Sequence, residues 1–201
     1  MRSRIAAIVF AAAAVNAVSA NAQTPRVELS FFPSGHMVAT QGKLAEPGFK
    51  NFTPGVAVAV NLTSYIAAEA EFAGALGLTQ DLTSIGRQKS PSMISYSGNL
   101  VANLSPRRTV QPYLAVGVGG LQMFESRALG IGHGEAFEAA NAGGGLKVMF
   151  GRWGIRGDYR FIGLSSRDED ASAFIGSDVR HAHRFQLGFV LIPGQTTATT
   201  R

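Results

Sequence analysis

The sequence AGGGLKVMFGRWGIRGDYRFI, residues 142–162, reads as two β-strands joined by a two-residue turn at Gly151 and Arg152. A glycine in the first central position suits a type II′ hairpin, whose twist matches that of paired strands. Because side chains alternate along a strand, pairing Phe150 with Trp153 puts the large apolar side chains on one side of the hairpin. That side carries Leu146, Val148, Phe150, Trp153, Ile155, Tyr159 and Phe161, and the other carries Lys147, Arg156, Asp158 and Arg160. A soluble sheet buries its apolar side, whereas a membrane barrel turns it to lipid.

The first 22 residues predict a secretory signal peptide. Arg2 and Arg4 form a basic start, and residues 5–15 form an apolar run too short to span a bilayer. Small residues then offer a cleavage site after Ala22, with Ala20 as the second choice. We therefore expect the mature chain to be exported.

The composition excludes several classes of function. Loss of residues 1–22 removes two arginines and lowers the net charge from +5 to +3, which is too mild to predict nucleic-acid binding. The absence of cysteine excludes a disulfide scaffold, a cysteine nucleophile and cysteine-based metal sites. No later stretch is long and apolar enough to predict a transmembrane helix. The 24 glycines and weak helical periodicity favour an all-β chain.

Eight segments after the signal alternate as β-strands do. They cover residues 27–38, 52–61, 65–74, 94–104, 110–123, 142–150, 153–162 and 179–192. Pro33 suits a bulge in the first of them. The connections are alternately long, about 11–18 residues, and short, about 2–5, as in barrels with external loops and periplasmic turns. This pattern predicts an all-β, eight-stranded antiparallel up-and-down transmembrane β-barrel over residues 23–192, followed by a polar tail at 193–201.

The charged residues of the strands lie on the face opposite the large apolar side chains. They are Glu28, Glu69, Glu71, Lys147, Arg156, Asp158, Arg160 and Arg184, four acids and four bases. An arginine or lysine facing lipid near the midplane costs about 2–4 kcal/mol, so we expect all eight charges to face the lumen. The lumen of an eight-stranded barrel is just wide enough for side chains to fill it. Glu69 and Glu71 are predicted to pair across it with Arg156, Arg160 or Lys147 in a neutral, packed network.

A secreted lipocalin-like barrel that binds a small apolar ligand is the soluble alternative. In such a barrel the apolar side chains of the strands face inward and the eight charged side chains face water. The alternation of loop lengths, the aromatics near strand ends and the lack of disulfides favour the membrane barrel.

Two segments resemble a known family. Residues 153–160 (WGIRGDYR) and 185–189 (FQLGF) are similar to the last two strands of the small outer-membrane barrels typified by the OmpA transmembrane domain and OmpX. The resemblance implies a porin-like, structural or adhesive protein in the outer membrane. It also implies contact with outer-membrane lipid and lipopolysaccharide, the β-barrel assembly machinery, and a surface partner at the external loops. Unlike most of that family, this chain continues past its last strand into a polar tail.

Some small outer-membrane barrels modify lipid A, so a catalytic set is the other alternative. Ser34 and His36 share a strand face, with Glu28 lower on the same face, but nothing marks the serine as activated. His181 and His183 share a face without an evident third metal ligand, and the acidic run 168–170 fits a solvated loop. We therefore predict no catalytic residues, no cofactor and no metal.

Overall fold

The protein, seen in a computed structural model, is described over residues 26–41, 50–82, 86–124, 135–166 and 180–193. The predicted signal peptide, the acidic run 168–170 and the tail beyond Pro193 lie outside these residues. Within them, no helix is long and apolar enough to cross a membrane.

Eleven strands form in the described parts of the chain. They are β1 (Val27–Gln41), β2 (Lys50–Phe52), β3 (Gly55–Asn61), β4 (Ile66–Gly77), β5 (Thr79–Leu82), β6 (Gly86–Lys89), β7 (Met93–Asn103), β8 (Val110–Met123), β9 (Glu135–Phe150), β10 (Trp153–Ser166) and β11 (Arg180–Leu191). Apart from the separate hairpin β5–β6, each strand pairs antiparallel with its neighbour, and β11 pairs with β1 to close the ring. Because β2 and β3 share one position between β1 and β4, the ring has eight strand positions. The predicted eight-stranded antiparallel barrel is confirmed.

The strands are tilted against the barrel axis. Following paired residues from Leu29 through β3, β4 and β7 to β11 leads back to β1 at Thr40. A closed ring with this stagger needs strands tilted by roughly 35–45°. The three short connections lie at the end where β1 begins and β11 ends, which we call the turn end. The opposite end, where the longer connections join the strands, is the loop end.

The hairpin at Gly151 and Arg152 forms in the predicted register. Phe150 pairs with Trp153, and their rings lie 4.9 Å apart between centroids. Gly151 has a φ of 73°, and no non-glycine residue in the described ranges has a positive φ. A positive φ at the first central residue alone fits a type II′ turn and not a type I′ turn.

A bulge at Pro33 changes which residues face inward along β1. The register with β11 shifts between Phe31 and Ser34, as Pro33 had suggested. Glu28 faces inward before the bulge, whereas Ser34 and His36 are exposed on the outside after it. The expectation that Ser34, His36 and Glu28 share a face is therefore wrong, because the extra residue of a bulge reverses the alternation.

The predicted strand 52–61 is interrupted. It forms as β2 and β3, separated by Thr53 and Pro54. Proline has no N–H for the ladder, which explains the break. The Thr53 N–H still donates to Gly35 O at 2.9 Å, beside the β1 bulge.

Several residues of the long connection predicted after residue 74 form strands. β4 continues to Gly77, and β5 and β6 form a hairpin beyond it. The Gln80 side chain ties the hairpin to the rim, because its Oε1 accepts from Lys50 N at 3.2 Å and its Nε2 donates to Ser90 Oγ at 3.2 Å. The strands around the other long connections also extend further than predicted, since β9 starts at Glu135 and β10 reaches Ser166.

The outer wall is apolar and the interior is filled. Large exposed side chains cover the outside on every strand position, including Phe31, Val56, Phe72, Leu100, Val116, Leu146, Ile155, Leu187 and Phe189. The eight charged residues of the opposite parity are all buried inside the ring. The alternation is thus inverted relative to a soluble barrel.

Candidate functional site

Two arginines and two acids form the centre of the lumen. Arg156 contacts Glu69 (Nη1–Oε2, 2.6 Å) and Asp158 (Nη2–Oδ2, 3.1 Å). Arg160 contacts the same two residues, at 2.9 Å from Nε to Asp158 Oδ1 and 3.1 Å from Nη2 to Glu69 Oε1. Each acid therefore bridges both arginines. Strand alternation places Arg156, Asp158 and Arg160 on one inward face of β10, opposite Glu69 on β4.

Glu71 and Arg184 lie above this centre, toward the loop end. They form an ion pair with each other, and Arg160 Nη2 lies 3.9 Å from Glu71 Oε2. Arg184 also donates from Nη1 to Ser95 Oγ at 3.4 Å. This second pair joins the central group through Arg160.

Lys147 and Glu28 form a third contact near the turn end. Lys147 Nζ donates to Glu28 Oε2 at 2.5 Å and to Asn103 Oδ1 at 3.3 Å. The Asn61 side chain donates to Glu28 Oε1 at 3.0 Å. Lys147 therefore meets Glu28 and not Glu69 or Glu71, which sequence reasoning had offered as its partners.

Several polar residues of the network were missed by sequence reasoning. The Tyr113 hydroxyl donates to Asp158 Oδ2 at 2.5 Å and accepts from Arg156 Nε at 2.9 Å. Asn99 donates to Glu69 Oε1 at 3.2 Å, and Asn141 donates to Asn99 Oδ1 at 3.1 Å. All of them have the inward parity of their strands, and that parity is the signal by which they could have been found.

An apolar layer fills the lumen between the charges and the loop end. Its members lie near the loop-side ends of their strands and are at most 5% exposed: Met37, Ala75, Met93, Leu121, Met123, Phe137, Ile162 and Ala182. Met93 and Met123 are directly paired across β7 and β8. We call this layer the apolar cap. Sequence reasoning assigned charges and small residues to the lumen and did not predict it.

The interior charges balance one another. Arg156 and Arg160 are among the largest fully buried side chains; Arg156 contacts two acids and Arg160 contacts three. The guanidinium of Arg156 also lies over the rings of Tyr113 (4.8 Å) and Phe32 (5.3 Å). Burying ions costs several kcal/mol each, and pairing with additional hydrogen bonds is what offsets that cost.

Comparison with known proteins identifies the family. A family model for the outer membrane protein β-barrel domain matches residues 5–192. The chain belongs to this family. No curated protein sequence matches the chain.

Solved structures with this barrel fold are distant in sequence. Neisserial surface protein A has a TM-score of 0.56 at 10% identity, with 83% of this chain and 96% of that chain covered. OprG from Pseudomonas aeruginosa has a TM-score of 0.50 at 10% identity, covering 86% and 98%. The outer membrane protein AlkL, solved in DMPC bilayers, has a TM-score of 0.50 at 13% identity, covering 91% and 96%. At these identities the likeness shows the fold alone.

Membership of the family fixes the location. The protein is an outer-membrane β-barrel, so its apolar outer wall faces membrane lipid. This confirms the predicted membrane barrel, and the lipocalin-like alternative is not supported.

The candidate catalytic and metal sets of this outer-membrane barrel do not assemble in the described residues. Ser34 and His36 lie on the outer wall, whereas Glu28 is inside and bonded to Lys147. His181 and His183 lie 5.5 Å apart between ring centroids, and His183 Nδ1 is hydrogen-bonded to the Tyr159 hydroxyl at 2.9 Å. No group of three histidine, aspartate or glutamate side chains there could hold a metal ion.

Proposed function

We propose that this outer-membrane barrel is a closed, non-enzymatic protein with a structural or surface-interaction role. The observation that carries the proposal is the filled lumen, in which four acids and four bases pair beneath the apolar cap. In this proposal, the packed neutral network of the described residues leaves solute no continuous charged or aqueous path. A porin-like role would need such a path.

The partners in this proposal follow from the two exposed regions of the barrel. Lipid and lipopolysaccharide cover the apolar outer wall, and a surface partner binds at the loop end. The β-barrel assembly machinery engages the last strand, where the outward residues Phe185, Leu187 and Phe189 form an apolar stripe. The ordered hairpin β5–β6 supports a binding role at the loop end, because it extends the barrel beyond its rim.

We expect no change in lipid A when the protein is produced in a Gram-negative host. The reason is that Ser34 and His36 are separated from Glu28 by the barrel wall, so no acid on that strand orients the histidine as a base. The measurement is the mass spectrum of lipid A with and without expression. A mass change that Ser34→Ala or His36→Ala abolishes would overturn the non-enzymatic assignment.

A further inference from the structure

The Gln186 side chain reaches from β11 across β1, next to the bulge, to the break between β2 and β3. Its Nε2 donates to Thr53 O at 3.0 Å, at the break between β2 and β3. It passes directly over Gly35, where an added Cβ would lie 2.7 Å from both Gln186 Cγ and Thr53 Oγ1. The glycine leaves the space through which the side chain reaches across the strand.

Buried polar atoms around this crossing have no hydrogen-bond partner among the described residues. They are Thr53 Oγ1, Gln186 Oε1, Glu71 Oε2 and Arg184 Nε. Their residues are at most 5% exposed. A buried polar group without a partner costs about 1–3 kcal/mol, and such groups are rare in native proteins.

These four residues form one contiguous group. Arg184 is ion-paired with Glu71, it is two positions from Gln186 on the inner face of β11, and Gln186 is bonded to Thr53. Their atoms without a hydrogen bond are two oxygens that only accept, one hydroxyl that both accepts and donates, and one N–H that donates. A ligand for this site therefore has to donate and to accept hydrogen bonds.

We infer that ordered water binds among these four residues, between the ion-pair network and the apolar cap. A water molecule can donate to two of the oxygens and accept from Arg184 Nε, whereas a metal cation can accept no hydrogen bond. Charge also favours a neutral ligand, because Glu71 is balanced by Arg184 with Arg160 close by. Met37 of the apolar cap is paired with Arg184 across β1 and β11, so the cap lies next to this group.

Water at this site hydrates the ion pair of Glu71 and Arg184. The site lies where Pro33 and Pro54, which have no backbone N–H, leave the barrel wall with fewer hydrogen-bond donors. Backbone polar groups within a membrane must be satisfied from inside the protein. The Gln186 amide supplies such a bond to Thr53 O, and the bound water satisfies the side-chain atoms beside it.

Thr53→Val tests the inference through the sign of its effect. Valine matches threonine in shape but removes the hydroxyl. If water bonds to that hydroxyl, the variant lowers the folded-to-unfolded ratio about fivefold, the loss of one hydrogen bond. If no water bonds to the hydroxyl, the variant raises that ratio, because it removes a buried polar group that has no partner. Thr109→Val, in an exposed turn, is the matched control and leaves the ratio unchanged.

Direct detection keeps the inference testable if Thr53→Val does not fold. In the wild-type barrel in detergent micelles, water cross-relaxation should reach the Thr53 amide and the Gln186 side-chain amide. Absence of both signals would contradict bound water. Crystals soaked in rubidium or thallium salts should show no anomalous peak between Glu71 and Thr53, and a peak there would identify a cation site instead.

Discussion

Arg156→Ala is expected to destabilise the barrel by about 3–5 kcal/mol. The guanidinium contacts Glu69 and Asp158 and bonds to Tyr113 and Ser30, with 1% of its surface exposed. Truncation leaves two buried acids with one arginine between them. The measurement is urea unfolding in lipid vesicles, followed by the shift between folded and unfolded mobility on gels.

Arg107→Ala provides the control for loss of an arginine. Arg107 is exposed in the turn between β7 and β8, so its removal should change stability by less than about 0.5 kcal/mol. The double variant Glu69→Ala/Arg156→Ala should lose less stability than the sum of the two single losses. Once either side chain is removed, truncating the other no longer leaves a buried charge without this partner. Equal, small effects for Arg156 and Arg107 would show that the lumen charges are hydrated.

Leu187→Arg is expected to cost about 2–4 kcal/mol, or to prevent insertion. Leu187 is the third of four outward apolar residues on β11, counted from the turn end, and it is 57% exposed on the barrel surface. It pairs with Gly157 on one side and Ser34 on the other, midway along the wall. An arginine there would place a charge in the hydrocarbon region.

Leu62→Arg is the matched change outside the hydrocarbon. Leu62 is exposed to a similar degree but lies in the turn between β3 and β4. We expect the Leu62 variant to fold from urea into vesicles like the wild type. If Leu187→Arg folds equally well, lipid does not contact that part of the wall.

The strand register could be predicted from the sequence where a turn residue and the alternation around it agree. Gly151 fixes the turn, and the alternation on both sides of it then fixes the pairing of Phe150 with Trp153. The bulge was also foreseen at Pro33, but its effect on facing was not. A single extra residue moves every later side chain of β1 to the opposite face of the wall. In so short a segment, sequence alternation does not show at which residue the inward and outward faces exchange.

The interior position of the charges follows from parity, but the choice of partners does not. Lys147 sits on the same face as Arg156, yet it bonds to Glu28 across the ring. Which residues meet depends on the stagger of the strands, and that is a property of the closed ring and not of any one strand. The functional role of these residues remains our proposal.

The apolar cap escaped prediction for a different reason. Met93, Met123 and Phe137 were read as strand ends or loop, because short apolar stretches near glycine and polar residues give weak periodicity. Alternation also assigns only a side, and it does not tell an apolar residue in a lumen from one in a soluble core. The cap forms only when the loop-side ends of seven strands come together in the closed ring.

The conductance of the wild-type protein in planar bilayers tests the closed lumen most directly. With the ion-pair network intact beneath the apolar cap, we predict no steady channel, and at most brief openings that become more frequent in Arg160→Ala. A large, steady conductance of the wild type that Arg160→Ala leaves unchanged would contradict the account, because it would show that the charges line open water.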